Sequence, residues 1–317
     1  MGPSAHPARA QPPLAAIVGP TASGKSALAL ALADRLPIEI LVADSRQIYR
    51  GMDVGTAKPS AVDRARVPHH LLDMVAPDAA FTVADWVQRA REAVHDVAQR
   101  GRLPLVVGGT GLYVSALVDG FAFERQPWSP EVRRRLAAEL ETDGLAPLVA
   151  RLATLDPPTA ARIDRANPRR VLRALERAEL TGGPAAPTAE AYRGRVALLG
   201  LARPRELLAR RIDERAAALF AAGLLDEVRR LQAAGYGPEL GPMTGHGYRE
   251  AARLLAGDCS RDEAVATTAR RTRQYAKRQL TWFRRDLRIA WIPAGELPAD
   301  DPRIVARAAD LLRALLG

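Results

Sequence analysis

The chain has 317 residues, 48% of them apolar and 26% charged, a composition that supports a packed core and argues against intrinsic disorder. The formal charge of +10 and a pI near 10.5 call for a polyanionic partner or an anionic substrate, because uncompensated like charge costs self-repulsion. No run reaches the ~18 apolar residues that span a bilayer, so no membrane association is expected, and the single cysteine, Cys259, allows no intramolecular disulfide and fits a reducing cytoplasm.

Residues 1–13 form a Pro/Ala/Arg segment without an apolar signal core and read as a flexible N-terminal stretch. The apolar run Leu14 to Val18 then reads as a strand, and it leads into Gly19-Pro20-Thr21-Ala22-Ser23-Gly24-Lys25-Ser26, a complete G-x-x-x-x-G-K-S/T phosphate loop. The following run Ala27 to Leu32 supplies a helix whose positive end faces an anion. Backbone N–H groups of Gly19, Thr21, Ala22, Ser23 and Gly24 are expected to cradle a diphosphate, with Lys25 on its terminal phosphate and Ser26 on Mg²⁺. The loop alone leaves open which diphosphate it holds.

Of the 46 basic residues only Lys25, Lys58 and Lys277 are lysines. A drift toward arginine leaves lysine where a compact point charge is hard to replace by a planar fork, which singles out each of the three.

Up to about residue 120, strand-like runs at Ile38 to Ala43 and Leu103 to Val107 alternate with helical periodicity such as Val83 to Gln99. That pattern predicts an α/β fold with a mostly parallel sheet, a P-loop core in residues 14–120. The polar stretch after the second strand, Asp44-Ser45-Arg46-Gln47-Ile48-Tyr49, sits where a strand end opens onto the ligand crevice of such a sheet. Asp44 can act there as a proton acceptor or a water-mediated metal ligand, or cap a turn, and the Gln47 amide can read a base edge. The next strand ends in Gly108-Gly109-Thr110-Gly111, with no acid to position the Mg²⁺ of an NTP hydrolase. Glycine and the Thr110 hydroxyl suit close approach to a leaving phosphate instead.

Residues 121–190 change character to short, Arg-rich, Pro-punctuated helices such as Pro130 to Leu140 and Pro168 to Leu180, an inserted all-helical domain. Residues 191–317 return to the core through a strand at Val196 to Leu201, helical patterns over Pro204 to Ala234, Tyr248 to Leu255 and Arg261 to Arg285, a strand at Ile289 to Ile292 and a last helix. In the pattern beginning at Arg261, positions 269, 272, 276, 280, 283 and 287 are expected to face the core. Arg273, Lys277, Arg284 and Arg288 line another face, with Tyr275 and Trp282 as candidates for stacking on RNA bases. From the residues alone, a P-loop kinase of a small metabolite and a nucleotide-gated RNA-binding protein remain compatible with loop and charge.

Taken together, Gly19 to Ser26, Asp44 to Tyr49, Gly55-Thr56-Ala57-Lys58-Pro59, Gly108 to Tyr113, Asn167 to Glu176 and Thr272 to Gln279 resemble the tRNA dimethylallyltransferase family, enzymes that prenylate adenosine-37 beside the anticodon. The resemblance spans nearly the whole chain. It implies dimethylallyl diphosphate in the phosphate loop, Mg²⁺ as cofactor and the anticodon stem-loop of tRNA as partner; a monomer is expected, although the sequence does not fix the oligomeric state. It further implies Asp44 as proton acceptor and Thr110 and Arg211 as pyrophosphate-side groups, with Arg210 adjacent and the register open by one. Family tRNA contacts map to Asp44, Ser45, Arg46 and Gln47, to Arg133, and to Arg169, Arg170 and Arg173; Lys277 joins them from the basic helix. His246 stands where the family commonly has isoleucine. A related enzyme class, which prenylates free adenine nucleotides, is the nearest alternative.

Overall fold

Short apolar runs bounded by glycine or polar residues become strands here, and they need no polar alternation because both faces of the sheet are covered. The computed structural model describes residues 11–120, 129–183 and 191–317. Residues 1–10 of the N-terminal stretch, and most of the Gly/Pro loop near residue 185, lie outside them. Gln11 and Pro12 are held: Arg193 N donates to Gln11 Oε1 at 2.7 Å and Tyr192 Oη to Pro12 O at 2.6 Å.

In chain order the first unit runs β1 (Leu14–Val18), α1 (Lys25–Leu32), β2 (Ile38–Ala43), α2 (Ala61–Arg66), β3 (His69–His70), α3 (Val83–Gln99), β4 (Leu103–Gly108) and α4 (Gly111–Asp119). A second unit, within Gly120–Glu190, holds α5 (Pro130–Asp143), α6 (Leu145–Leu155), α7 (Pro157–Arg162) and α8 (Pro168–Thr181). The first unit resumes with β5 (Val196–Ala202), α9 (Arg205–Ala221), α10 (Leu224–Ala233), α11 (Tyr248–Leu255), α12 (Arg261–Phe283), β6 (Ala290–Pro293) and α13 (Pro302–Leu316). No described helix is long and apolar enough to cross a membrane.

The six strands form one sheet in the order β3-β2-β4-β1-β5-β6, and every pairing among them is parallel. Strand periodicity divides β1 between two cores. Ala15 and Ile17 pack with Leu28 and Leu32 of α1 and Leu312 of α13, while Leu14, Ala16 and Val18 pack with Trp86 of α3 and Leu117 of α4. Trp86 is fully buried, stacks on Tyr113 at 4.6 Å between ring centroids, and donates its indole N–H to Val42 O at 3.2 Å. That bond satisfies the one polar atom of the largest core side chain.

In the second unit, Ser129, Asp156 and Asn167 each cap a helix whose first turn contains proline. There a missing N–H costs nothing and a fixed φ helps. Leu136, Leu148, Leu152, Val171 and Leu175 form its core.

Two helical expectations are corrected. The pattern over Pro204 to Ala234 is two helices, because Gly223 takes φ 96° and breaks the run between α9 and α10. The pattern beginning at Arg261 stops at Phe283, so position 287 is not on the helix, and Leu287 is 96% exposed instead of facing the core.

Candidate active site

Strand order puts β4 between β1 and β2, and register makes three strand ends flush: Gly108 pairs with Val18 on one side and Ala43 on the other. Thr110 N donates to Ala43 O at 3.1 Å. A Cβ on Gly108 would lie 2.0 Å from Ala43 O, which is why no side chain, acidic or otherwise, stands there. The phosphate loop, Asp44 and Thr110 therefore converge at the carboxyl end of the sheet, where open α/β sheets bind ligands.

The loop is built as an anion nest. Gly19 has φ 139°, Ala22 φ 63° and Gly24 φ 98°, and Gly24 caps α1, whose amide dipoles point at the cavity. Ala22 is a non-glycine residue in the left-handed region, local strain of the kind stored at functional sites. Ser23 is fully buried and its Oγ has no partner, an orphaned donor inside the nest. Thr21 N is already engaged, donating to Gln279 Oε1 at 2.8 Å.

Lys25 Nζ donates to Pro20 O at 2.6 Å. Burial first, then the positive charge of Arg215, push its ammonium down to about 7, against the pull of Asp44. A cation held near neutrality beside an anion nest is poised to gain a proton when the anion arrives. Ser26, in the first turn of α1, is exposed.

Asp44 closes the other side. Its Oδ1 accepts from Arg46 N at 2.8 Å, so it caps the turn as well as facing Lys25 and Arg215 electrostatically. Thr110 Oγ1 accepts from Ser45 N at 3.0 Å, which ties the two strand ends and leaves the threonine proton to be donated elsewhere.

The arginines of α9 sort by helical phase. Arg210 approaches Glu296 at 3.9 Å, and Arg211 lies near enough to Arg203 to add to the burial that depresses that guanidinium. Arg203 in turn braces the loop by donating from Nε to Ser23 O at 3.1 Å. Arg215, one turn beyond Arg211, is the α9 arginine that acts on both Lys25 and Asp44. Sequence reading stopped a turn short of it; the i+4 spacing from Arg211 was the available signal.

Several candidates are held by bonds within the protein. The Lys58 side chain is 2% exposed and donates to Asp53 Oδ1 at 2.7 Å, Asp73 Oδ1 at 2.5 Å and Tyr49 O at 2.6 Å. Glu227 accepts from the backbone N–H groups of Asp53, Val54 and Gly55 and from Tyr248 Oη. The Gly55 to Pro59 motif is thus a loop pinned from both sides. Gln47 spends its amide donor on Thr56 O and Ala57 O, and Arg46 donates to Gly241 O at 2.6 Å.

Tyr275 is corrected as a stacking platform. Its ring meets the edge of His246 at 5.5 Å and the guanidinium of Arg278 at 5.7 Å, while its hydroxyl lies near Thr110 and Gln279. Burial and then Arg271 push His246 down to about 4, so it is a neutral neighbour near pH 7. Trp282 is 38% exposed and packs on Gly111, where a Cβ would lie 2.3 Å from the ring. On the basic face, Arg273 pairs with Asp213 and Arg288 with Asp119 and Asp286, whereas Lys277 and Arg284 are exposed.

Within the second unit, Arg133 and Arg173 converge on buried Glu176. Arg169 and Arg170 are exposed and line, with Asn167, Arg173 and Arg177, a cavity of about 490 Å³ at the start of α8. Arg173 pairs with Glu176 and Arg177 with Asp156, which leaves Arg169 and Arg170 in the first turn of α8, where the helix N-terminus also favours an anion.

Residues 47–286 match the family described as IPP transferase. The chain is 47% identical over 304 residues to the tRNA dimethylallyltransferase of Syntrophobacter fumaroxidans, covering 94% of this chain and 89% of that one. It is 46% identical over 300 residues to the enzyme of the same name from Thermobifida fusca, 92% of each chain. Among solved structures it is similar to the full-length tRNA isopentenylpyrophosphate transferase of Bacillus halodurans, with TM-score 0.72, 37% identity, and 96% and 97% of the two chains covered. It is also similar to a eukaryotic dimethylallyltransferase acting on tRNA, with TM-score 0.75, 25% identity, and 94% and 77% covered.

Proposed function

This chain belongs to the IPP transferase family, and from that premise we propose that it is a tRNA-modifying prenyltransferase that moves the dimethylallyl group of dimethylallyl diphosphate to N6 of adenosine-37, beside the anticodon. One observation carries the reading: a phosphate nest, Lys25, Asp44 and the Thr110 hydroxyl surround a single strand end that has no room for a Walker-type acid.

The chemistry follows from what these groups can do. The adenine amine is a weak nucleophile and must leave its stack, at a cost of a few kcal/mol, to line up with the allylic carbon. A nitrogen–carbon bond forms there as the carbon–oxygen bond to diphosphate breaks, and the departing pyrophosphate keeps the electron pair. Lys25, Arg215, the loop amides and the Thr110 hydroxyl are preorganised where that negative charge grows. Asp44 takes the N6 proton. The arginines around α8 and the exposed basic positions of α12, Lys277 among them, supply phosphate contacts to the stem-loop.

Among the described residues no cluster of three or more His, Cys, Asp or Glu could hold a metal ion. The Ser26 hydroxyl beside the nest nevertheless fits Mg²⁺ that takes most of its oxygen ligands from the diphosphate. When bound, Mg²⁺ would neutralise charge on the leaving group. With tRNA as the proposed substrate, the cytoplasm is the compartment we propose for it.

The test is incubation with labelled dimethylallyl diphosphate, Mg²⁺ and an unmodified anticodon stem-loop. Label is expected on adenosine in the RNA. Transfer only to free AMP, or γ-phosphate transfer from ATP to a metabolite, would refute the assignment.

A further inference from the structure

Gln279 lies on the inward face of α12, 6% exposed, and its side-chain amide bonds two backbone groups far away in sequence. Oε1 accepts from Thr21 N and Nε2 donates to Gly109 O, both at 2.8 Å. Thr21 is in the phosphate loop after β1, and Gly109 is in the turn after β4 that carries Thr110. One planar amide thus spans the two strand ends between which a diphosphate and the Thr110 hydroxyl have to meet. Gly109 is shaped for this contact, since a Cβ there would lie 2.1 Å from Nε2. Tyr275, one turn earlier on α12, lies near both Thr110 and Gln279, so the same helix face also approaches the hydroxyl itself.

A loop flanked by glycines has many accessible conformations, and misplacement by about 1 Å can cost about 10²-fold in rate. A buried amide with both ends satisfied removes that freedom. We propose that Gln279 is a positioning residue for the transfer step. It fixes the phosphate loop against the Thr110 turn, and it withdraws the Thr21 N–H from the donors that meet the diphosphate. This deepens the reading of function given above and rests on it.

Two variants of the full chain test it. Gln279→Met keeps side-chain volume and removes both bonds. Gln279→Glu keeps the acceptor for Thr21 N but sets a carboxylate against Gly109 O until it is protonated. With labelled dimethylallyl diphosphate and stem-loop, kcat of Gln279→Met is expected to fall by about 10²-fold while KM for the stem-loop stays put. The kcat of Gln279→Glu, relative to wild type at each pH, is expected to rise as pH falls and its carboxyl regains a donor. That recovery is a signature simple loss of packing would not give. Thermal unfolding of each variant checks that the assayed protein is folded. Wild-type kcat in Gln279→Met, a flat pH ratio for Gln279→Glu, or losses that only track the unfolded fraction would each overturn the role of Gln279. Wild-type protein that transfers no label would instead overturn the functional reading beneath it.

Discussion

Arg215 sits close enough to Lys25 to oppose its positive charge: burial first, and then Arg215, bring the lysine down to about 7 from an ordinary 10.5 against the pull of Asp44. Two cations near one another with the single carboxylate of Asp44 between their charges are a binding site under electrostatic tension. Diphosphate relieves it, and the lysine then regains its full charge. Binding of inorganic pyrophosphate at pH 8 is therefore expected to take up protons. Calorimetry in buffers of different ionisation enthalpy reads the number directly, and zero uptake would contradict the arrangement.

The same pair makes a prediction for the free protein. Between pH 10.5 and about 7 the unfolded chain holds more protons at Lys25 than the folded one, so this group's effect lowers stability as pH falls through that range and stays constant below it. Lys25→Met is expected to raise the unfolding temperature of ligand-free protein at pH 7 and below, and to lose that advantage above pH 10.5. It should cost about 10²- to 10³-fold in kcat, as removal of a preorganised electrostatic donor does. A site strained for function trades stability for activity in this way.

Asp44 caps a turn through Arg46 N, and the proposed chemistry gives it a second job that a single substitution separates. Asn keeps an oxygen to accept from Arg46 N but cannot take a proton. Asp44→Asn is expected to fold normally, bind pyrophosphate, and lose about 10²- to 10⁴-fold in kcat. Single-turnover prenyl transfer measures the chemical step apart from binding. A variant as fast as wild type would remove Asp44 from the chemistry.

Position along α9 decides which arginine matters. Arg215→Met is expected to lower kcat by about 10²-fold, whereas Arg210→Met, whose partner is the surface residue Glu296, should change it little. Equal effects from the two would mean that the helix phase is not what selects the residue. Steady-state kinetics on both variants decides this.

Lys58 predicts a stability defect. Removing a buried cation from its carboxylates costs up to about 3–5 kcal/mol, and the low end is expected because Asp53 and Asp73 are partly exposed and regain water. Urea denaturation of Lys58→Met measures it; an unchanged midpoint would refute the expected loss.

Much of this site is local grammar. Gly19 to Ser26 follows one strand and opens one helix, and Asp44 follows the next strand, so nearest-neighbour rules are enough to find them. Gln279 has no such signal. On α12 it is one polar residue among many, 258 positions from Thr21, and which face of a 23-residue helix meets the loop depends on how the helix packs. Tyr275 looked free to stack because sequence shows aromatic character but not the His246 and Arg278 that cover its ring. Leu287 looked buried because a periodicity was extended past the point where the helix stops.

The order of residues alone determined the phosphate loop, five of the six strands and the acid beside them, since each rests on contacts between near neighbours in the chain. Only the folded chain decided that Arg215 and Gln279 lie beside the loop, Asp44 and Thr110, and that Lys58 is spent on Asp53, Asp73 and Tyr49. Charge and hydrogen bonding act through space, and inserting β4 between β1 and β2 brings together groups that the chain keeps far apart.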